Sequence, residues 1–340
     1  MKNLNNYTYL PRLKFPTELE FEPIQLCNAL CFSCPYTTLQ EDKEYRGKKM
    51  SREQISLLLT GFGNLLKKNN YKGNAFVIPF RYSDPLICKD LDLIFSLAKK
   101  FSFKIRITTN GVSFNENNAK LLNEYYDTLE GVISISVIGS TTEKIKKNMN
   151  VNLDLTFARL SNVKSKFPKL ASKIEVGLAE VEETSEENQE FLTLEKKFKE
   201  IGIETYRKKK WINNRIKGEG FLQKPDNFIL SCNLYHNKPL RRMNVMCDGS
   251  VVLCDDDSNG RKKFGNVFED NIAKIWNGHL LKEHKLIYNR NFDEEKNQLI
   301  CKSCSRANWK NRKSGLVNSV KQIGFRSSIK NIISNKVDWL

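Results

Sequence analysis

The sequence predicts an α/β protein in which a parallel sheet, open or partly closed into a barrel, precedes a smaller cysteine-rich domain with a β-hairpin. Strand-like and helix-like runs alternate from residue 16 to about residue 209, as in chains that form parallel sheets. The nine cysteines of the chain fall mostly in short-spaced groups, and five of them follow residue 230. Asp248-Gly249 divides two apolar runs near the C-terminus, which is the pattern of a tight hairpin between residues 244–246 and 251–253.

Six runs rich in β-branched and aromatic residues are the predicted strands. They are Leu19–Leu26, Ala75–Arg81, Lys104–Thr109, Val132–Ile138, Lys173–Ala179 and Ile203–Arg207. In a parallel sheet, ligands bind at the carboxyl ends of the strands. The sequence therefore directs attention to the residues that follow each run.

The segments between these strands repeat apolar residues at helical spacing. They are Ser51–Lys68, Lys89–Phe101, Asn115–Tyr126, Thr142–Asn148, Leu155–Lys166 and Glu186–Ile201. Ser51 followed by Glu53 and Gln54 predicts where the first helix begins.

Composition and charge limit the classes of function. The 340 residues are 40% hydrophobic, enough for a sizeable core, and carry a formal net charge of +17. Such a charge fits a nucleic-acid or anionic-membrane partner, or a lysine-rich solvated surface. The basic residues are scattered along the chain, so the sequence favours the surface interpretation, and nucleic acid is not the expected partner.

The cysteine pattern and the apolar runs indicate a compartment. Residues 1–16 are polar, without the apolar core of a signal peptide, and no run approaches the roughly 20 apolar residues that span a bilayer. Nine clustered cysteines in a chain this long favour metal ligation over disulfides. The expected location is a reducing cytoplasm.

Three segments are expected: a sheet domain over 16–215, a cysteine-rich domain over 216–310 and a basic tail over 311–340. The basic segment Lys208–Gly220 reads as the linker between the two domains. The tail is mildly amphipathic, which fits a packed terminal helix or a helix on a membrane surface.

The most informative motif is the group Cys27, Cys31 and Cys34, which follows the first predicted strand at Cys-x3-Cys-x2-Cys spacing. Structural zinc sites take four protein ligands, whereas three cysteines on an iron–sulfur cube leave one iron free for another ligand. A zinc site with a distant fourth ligand is the alternative that the spacing leaves open.

This arrangement resembles the signature of the radical S-adenosylmethionine superfamily. The resemblance implies a partial (β/α)6 barrel and a [4Fe–4S] cube on Cys27, Cys31 and Cys34. The open iron of that cube binds S-adenosylmethionine (AdoMet) and reduces it to a 5′-deoxyadenosyl radical, which takes a hydrogen from the substrate. One departure is Ser33, where the family has a hydrophobic or aromatic residue, with Phe32 one position early.

Further matches follow in the family's order. Ser83-Asp84-Pro85 stands where the family has a Gly-Glu-Pro motif that contacts the cofactor's amino group. Ile107–Gly111 resembles the end of the third strand and Ile133–Val137 the fourth strand, and Asn214-Arg215 after Trp211 resembles a run near the end of the barrel. The resemblance implies these residues around the cofactor: Ser83, Asp84, Asn110, Ser134 and Ser136.

The C-terminal cysteines resemble the SPASM auxiliary-cluster extension in its shortened "twitch" form. The shared features are Gly249 and Cys254 separated by four residues, the segment Phe264–Val267, and Cys301-x2-Cys304. The resemblance implies a second, fully ligated [4Fe–4S] cube that acts as an electron conduit or structural pin. Its expected ligands are Cys232, Cys254, Cys301 and Cys304. A zinc ribbon is the alternative for this set.

Cys247 competes with Cys232 for the auxiliary site. The family places the first ligand well before the glycine, which favours Cys232. Cys247 is then a buried small side chain or a hydrogen-atom donor of the kind that radical epimerases need.

The remaining candidates indicate less. Cys88 is expected to be a buried structural thiol. The three histidines, His236, His279 and His284, do not pair at metal-ligand spacing, and Asp255–Asp257 reads as a solvated turn or as a group that binds a polar substrate.

The expected function is radical hydrogen abstraction that ends in oxidation or epimerisation of a sugar- or cyclitol-like small molecule. The single auxiliary cluster carries this expectation, through a resemblance to aminocyclitol dehydrogenases. Modification of a peptide or protein is the first alternative, and a basic RNA-binding or tRNA-modifying protein is the second. A flavodoxin- or ferredoxin-type protein is the expected electron donor.

Overall fold

The computed structural model of the chain describes residues 12–181, 184–208, 227–232, 238–288 and 307–311. It divides into two compact units, each assembled from separate stretches of chain. The α/β unit contains Glu20–Thr60 and Ala75–Ile216. The C-terminal unit contains Met1–Leu19, Gly61–Asn74 and Lys217–Leu340. The linker expected at Lys208–Gly220 lies, apart from Lys208, outside the described residues, and so does the tail beyond Asn311.

Short strands form the parallel sheets of the α/β unit. The strands that pair in parallel are β2 (Phe76–Ile78), β3 (Lys104–Ile105), β4 (Thr108–Thr109), β5 (Ile133–Ile138), β6 (Ile174–Ala179) and β7 (Glu204–Lys208). They are preceded by β1 (Glu18–Phe21), whose first two residues belong to the C-terminal unit. β4, β5, β6 and β7 are adjacent in that order, and Ser136, Gly177 and Tyr206 are neighbours across the last three strands. This parallel arrangement brings the carboxyl ends of the strands to one edge.

Helices connect these strands. They are α1 (Tyr36–Leu39), α2 (Arg52–Lys68), α3 (Leu91–Phe101), α4 (Glu116–Glu124), α5 (Thr142–Met149), α6 (Leu153–Lys166), α7 (Pro168–Ala171) and α8 (Ser185–Glu200). The alternation of strands and helices confirms the predicted α/β class. Among the residues that the structure describes, no helix is both long enough and apolar enough to cross a membrane.

The predicted strand Lys104–Thr109 is divided in two, and the reason is a change of partner. Its first half pairs with β2, and its second half pairs with β5. The change of partner falls between Arg106 and Ile107. Arg106 N still donates to Val77 O of β2, whereas Ile107 O accepts from Ser134 N of β5. A single apolar run therefore connects two parts of the unit.

Helix starts follow the side-chain signals in the sequence. Ser51 Oγ accepts a hydrogen bond from Gln54 N at 3.2 Å, and Gln54 Oε1 accepts one from Ser51 N at 2.8 Å. This reciprocal pair is a capping box, and it confirms the predicted start of α2. Side chains that cap other helices are Asn115, Thr141, Asn152 and Thr184.

The central strands have one apolar face and one polar face. Along β5, Ile133, Ile135 and Val137 are buried, whereas Ser134 and Ser136 between them are half-buried. Alternation with a period of two is what a sheet with one packed face produces. The polar face of β5 is thus available to a ligand.

The C-terminal unit is built mainly of antiparallel strands and short helices. Its elements after residue 217 are β8 (Asn227–Cys232), β9 (Arg242–Val245), β10 (Ser250–Val252), β11 (Lys263–Asn266), α9 (Ile272–Asn277), α10 (His279–Tyr288) and β12 (Ala307–Asn311). β9, β10 and β11 are adjacent in that order, and β8 pairs with β12.

The predicted hairpin is present as β9 and β10. Gly249 forms its turn with a φ of +83°, a conformation that glycine adopts without strain. A Cβ at this position would lie 2.4 Å from both Asn266 Oδ1 and the Phe268 ring. The turn therefore needs glycine for its backbone conformation and for the close approach of its neighbours.

The N-terminal residues of this unit are held by charged contacts. Arg242 forms a buried ion pair with Glu18 at 2.6 Å. Arg12 lies over the Trp276 ring, 4.8 Å from its centroid, and donates to His284 Nδ1 at 3.0 Å.

Candidate active site

The cysteine loop, residues 27–34, follows β1 and leads into α1. Cys34 N donates to Cys31 O at 2.9 Å, which turns the loop between its second and third cysteines. Leu30 N donates to Met149 O and Phe32 N to Asn148 O, at 2.8 and 2.9 Å. The loop is thus held against the C-terminal end of α5, with Cys27, Cys31 and Cys34 on one short segment.

The sequence departure at the third cysteine has a structural counterpart. Ser33, which stands where the family has a hydrophobic residue, is buried, whereas Phe32 is 48% exposed. The aromatic side chain therefore faces solvent, and the small hydroxyl occupies the packed position.

Three buried tyrosines pack against two of the three cysteines of the loop. Cys27 and Cys34 pack against Tyr36, Tyr45 and Tyr82. Burial raises the pKa of Cys27 to about 12, a hydrogen bond from Ala29 N opposes the rise, and the Asp84 carboxylate and Cys34 add to it. Burial also raises the pKa of Cys31, and the two other thiols raise it further. Thiolates crowded in this way need a positive partner, and metal ions supply one.

A buried carboxylate, Glu22, lies beside the tyrosines. It accepts hydrogen bonds from Tyr45 Oη at 2.9 Å, from Tyr82 N at 3.2 Å and from Gln25 Nε2 at 3.3 Å. Burial raises the pKa of Glu22, and the positive charge of Arg81 is the main opposing influence. Sequence reasoning missed this network. The available signal was the alternation of Glu18, Glu20 and Glu22 with apolar residues in the run that contains the first strand.

Asp84 braces two strand ends. Its Oδ1 accepts from Leu86 N at 3.0 Å, and its Oδ2 accepts from Thr109 Oγ1 at 2.7 Å and from Asn110 N at 2.9 Å. Burial raises the pKa of Asp84, and the hydrogen bond from Asn110 N is the largest influence against that rise. The carboxylate thus joins the residues after β2 to the residues after β4.

Asn110 extends this connection to the cysteine loop. Its Nδ2 donates to Asn28 Oδ1 at 2.7 Å and to Cys27 Sγ at 3.6 Å. Its Oδ1 accepts from Val112 N at 2.9 Å, and Asn28 in turn donates to Ser113 Oγ at 2.9 Å. Three of the segments that sequence analysis singled out are therefore brought together.

Ser83 offers a polar group to a ligand. Its side-chain oxygen is buried and has no hydrogen-bond partner among the residues that the structure describes. A buried hydroxyl without a partner costs free energy unless a ligand or water satisfies it. The position next to Asp84 places this hydroxyl in the strand-end segment that the sequence assigned to cofactor binding.

The polar face of β5 has a partner that sequence reasoning missed. Ser134 Oγ and Tyr206 Oη are 2.9 Å apart. A Cβ on Gly177 would lie 2.8 Å from Tyr206 Oη, so glycine at this position makes room for the tyrosine. Ser136 is closer than Ser134 to the carboxyl edge of β5 and is half-buried.

In the C-terminal unit, Cys247 and Cys254 are both buried, the first in the turn of the hairpin and the second just after β10. Cys254 Sγ accepts from Asp256 N at 3.4 Å and lies 3.2 Å from Asp255 Oδ1. Cys301 and Cys304 lie outside the described residues, and of Cys232 only the backbone is described.

The run Asp255–Asp257 differs from the expected solvated turn. Asp257 is fully buried, and its oxygens accept from Arg261 N at 3.0 Å and Lys262 N at 3.4 Å. The carboxylate organises its own loop, because buried backbone N–H groups need acceptors.

Other sequence candidates are placed as follows. Cys88 is buried just before α3, in agreement with a structural thiol, and burial raises its pKa to about 11. His284 is buried and His279 is exposed on α10, while His236 and the run at Trp211 to Arg215 lie outside the described residues. In the described part of the chain, no three His, Cys, Asp or Glu side chains form a group that could hold a metal ion.

Comparison with known proteins agrees with this architecture. Residues 232–305 match the family model of SPASM, an iron–sulfur cluster-binding domain. Native anSMEcpe with bound AdoMet has a similar fold, with 16% identity and a TM-score of 0.55 over 94% of this chain and 100% of that chain. Streptococcus suis SuiB bound to precursor peptide SuiA gives 15% identity and a TM-score of 0.54 over 86% of this chain and 70% of that chain.

One curated relative is detected by sequence. An uncharacterized protein of Archaeoglobus fulgidus is 30% identical over 116 residues, which are 33% of this chain. The match spans 25% of the length of that relative.

The fold of this chain is thus similar to that of AdoMet-bound anSMEcpe, and residues 232–305 match an iron–sulfur cluster-binding domain family. The resemblance inferred from the sequence is confirmed at these two points.

Proposed function

We propose that this protein is a radical AdoMet enzyme in which Cys27, Cys31 and Cys34 hold a [4Fe–4S] cube. The observation that carries the proposal is the cysteine loop, whose Cys27 thiol is joined through Asn110 and Asp84 to the ends of two strands. The donor set fits the group, because thiolates are the ligands of iron–sulfur clusters and three of them leave one iron open. When bound, the cube and AdoMet would supply a 5′-deoxyadenosyl radical for hydrogen abstraction.

The protein's own residues provide the surroundings for AdoMet. Ser83, with its unpartnered buried hydroxyl, suits a polar group of the cofactor. Asp84 adds negative charge beside it, as the amino group of AdoMet requires. The other residues proposed around the cofactor are Asn110, Ser134 and Ser136.

We further propose an auxiliary [4Fe–4S] cube on Cys232, Cys254, Cys301 and Cys304. The pairing of β8 with β12 supports Cys232 as a ligand, because Cys232 is the residue opposite Ala307. Only two residues separate Ala307 from Cys304 in the sequence. The register therefore pairs Cys232 with a residue that follows the Cys301-x2-Cys304 motif closely in the sequence.

The proposed substrate is a sugar- or cyclitol-like small molecule that is oxidised or epimerised. Four auxiliary ligands allow one extra cube, which suits an oxidation that must dispose of an electron. In an epimerisation, Cys247 would be the candidate hydrogen donor. A flavodoxin- or ferredoxin-type protein in the cytoplasm would deliver the first electron.

Modification of a peptide is the second candidate. Two proteins of similar fold carry peptides, namely SuiB with precursor peptide SuiA and anSMEcpe with Cp18Cys peptide. At 15% and 16% identity, these likenesses support the fold, and the substrate has to be tested separately. The net charge of +17 keeps an RNA substrate as a further alternative.

The test is reductive cleavage of AdoMet by the anaerobically reconstituted full chain. Dithionite-reduced protein is expected to produce methionine and 5′-deoxyadenosine, and Cys31→Ala is expected to abolish both. Exposed-surface variant Glu41→Ala serves as the control and should retain the activity. A wild-type chain that binds iron at none of its cysteines, or leaves AdoMet intact, would refute the proposal. Transfer of deuterium from labelled cyclitols or from labelled peptides into 5′-deoxyadenosine then distinguishes the two substrate classes.

A further inference from the structure

The side chain of Asn110 is fully committed to neighbours on the cysteine loop and on its own turn. Its two Nδ2 contacts are to Asn28 Oδ1 at 2.7 Å and to Cys27 Sγ at 3.6 Å, and its Oδ1 accepts from Val112 N at 2.9 Å. The residue is 7% exposed. An amide fixed by three contacts in a buried site keeps its N–H bond directed at the sulfur.

The backbone that carries this amide is also fixed. Asp84 Oδ2 accepts from Asn110 N at 2.9 Å and from Thr109 Oγ1 at 2.7 Å. Asp84 is 2% exposed, and its other oxygen is held by Leu86 N. Movement of Asn110 away from Cys27 would therefore break hydrogen bonds to a buried carboxylate, which is costly.

An N–H group directed at a cluster sulfur changes the reduction potential of the cluster. Reduction adds negative charge, and part of that charge resides on the sulfurs, so a hydrogen bond stabilises the reduced state more than the oxidised state. The effect is larger in a buried site, where the dielectric screening is weak.

We propose that Asn110 is a positioning residue that raises the reduction potential of the cube held by Cys27, through its N–H···S hydrogen bond. This inference rests on the proposed function, since it requires a cube on the cysteine loop. It assigns Asn110 an action on the cluster, in addition to a place near the cofactor, and it makes Asp84 the brace that keeps Asn110 in position. The easier reduction would allow a weaker electron donor to start the reaction.

The test is a redox titration of the reconstituted full chain, followed by electron paramagnetic resonance. The signal that changes when AdoMet is added identifies the cube with the open iron. Asn110→Ala is expected to shift the midpoint potential of this cube to a more negative value. Asn28→Ala is the matched control, because it removes one contact of Asn110 but leaves the donor to Cys27, which the hydrogen bonds to Val112 N and to Asp84 Oδ2 still position. Its potential is expected to stay near that of the wild type.

Asn110→Asp provides a second variant that preserves the turn. It keeps an oxygen for Val112 N and removes both N–H donors, but its carboxylate also adds negative charge, so its shift should be more negative than that of Asn110→Ala. If the alanine variant fails to assemble its cube, Asn110→Leu, which has a similar size and neither an N–H donor nor a charge, replaces it in the comparison.

The outcomes separate this inference from the proposed function. A wild-type chain that assembles no cube overturns both. A wild-type cube with equal potentials in the Asn110 variants and in Asn28→Ala overturns the tuning role alone, because Asn110 would then only support the loop. A negative shift confined to the Asn110 variants supports it.

Discussion

The phenol of Tyr45 donates a 2.9 Å hydrogen bond to the buried carboxylate of Glu22, beside the tyrosines that pack against Cys27 and Cys34. The same carboxylate oxygen accepts from Tyr82 N. The packing around the cysteine loop therefore depends on the buried carboxyl group of Glu22, which holds two of the tyrosines by hydrogen bonds. Glu22 is 1% exposed, so its hydrogen bonds are needed to offset the cost of burial.

Tyr45→Phe tests this network. Removing the hydroxyl leaves one oxygen of Glu22 with a single donor, so the free energy of unfolding should fall by about 1–3 kcal/mol. Urea denaturation of the metal-free protein measures this change. Tyr71→Phe is the control, because the Tyr71 hydroxyl makes an exposed 3.2 Å hydrogen bond to Asn74 O and its loss should change stability by less than about 0.5 kcal/mol. Equal effects of the two variants would contradict the proposed importance of Glu22.

The hairpin turn gives a prediction with a matched glycine. Gly249→Ala places a Cβ at positive φ and within 2.4 Å of Asn266 and the Phe268 ring, so it should destabilise the C-terminal unit by more than about 2 kcal/mol. Gly47→Ala has a similar φ of +77° but no atom within 4 Å of the new Cβ, and should cost only about 1–2 kcal/mol. Thermal unfolding followed by circular dichroism compares them. A Gly249→Ala variant as stable as Gly47→Ala would show that the turn can relax.

His284 predicts a loss of stability in acid. Burial, together with the positive charge of the nearby Arg12, lowers its pKa from 6.5 to about 3. The folded protein holds the neutral ring, whereas the unfolded chain binds a proton below pH 6.5. The contribution of His284 to the free energy of unfolding is therefore fully present above pH 6.5. It is lost as the pH falls from 6.5 to about 3, by at most about 1.4 kcal/mol per pH unit.

The measurement for His284 is urea denaturation at several pH values. His284→Gln should flatten the pH dependence in this range. His279→Gln, on the exposed side of the same helix, should retain the slope of the wild type. If both variants keep that slope, the dependence arises from other groups.

The competition between Cys232 and Cys247 is decided by iron content. The wild type should bind about eight irons per chain, and Cys232→Ala should bind about four, because one auxiliary ligand is lost. Cys247→Ala should keep about eight. The reverse result would assign Cys247 to the cluster. It would contradict the choice of Cys232, which the β8–β12 register supports.

Local sequence signals predicted much of the fold because they act over a few residues. The capping pair Ser51 and Gln54 and the alternation along residues 133–138 each gave an element within one residue of the observed boundary. The division of Lys104–Thr109 was missed because it depends on which strand lies beside each half, and the sequence of the run carries no such information.

The candidate site was predictable where spacing carries the chemistry. The cysteine loop could be recognised as a candidate metal site from its spacing, and the further motifs along the chain were needed to favour an iron–sulfur cube over zinc. The partners of Tyr45, Tyr206 and Glu22 could not be predicted, because distant residues supply them in the folded chain. Alternating Glu18, Glu20 and Glu22 in a run that is otherwise apolar was a usable signal, since buried carboxylates require partners.

The most direct test of the account is hyperfine spectroscopy of the reduced, reconstituted chain with AdoMet labelled with ¹⁵N in its amino group. If Cys27, Cys31 and Cys34 hold a cube with one open iron, the cluster signal should show coupling to this nitrogen. Cys31→Ala should remove the nitrogen-coupled signal and leave the signal of the auxiliary cube. A reduced wild-type chain in which no cluster signal shows nitrogen coupling, or a chain that contains zinc and no iron, would contradict the assignment of this loop to AdoMet.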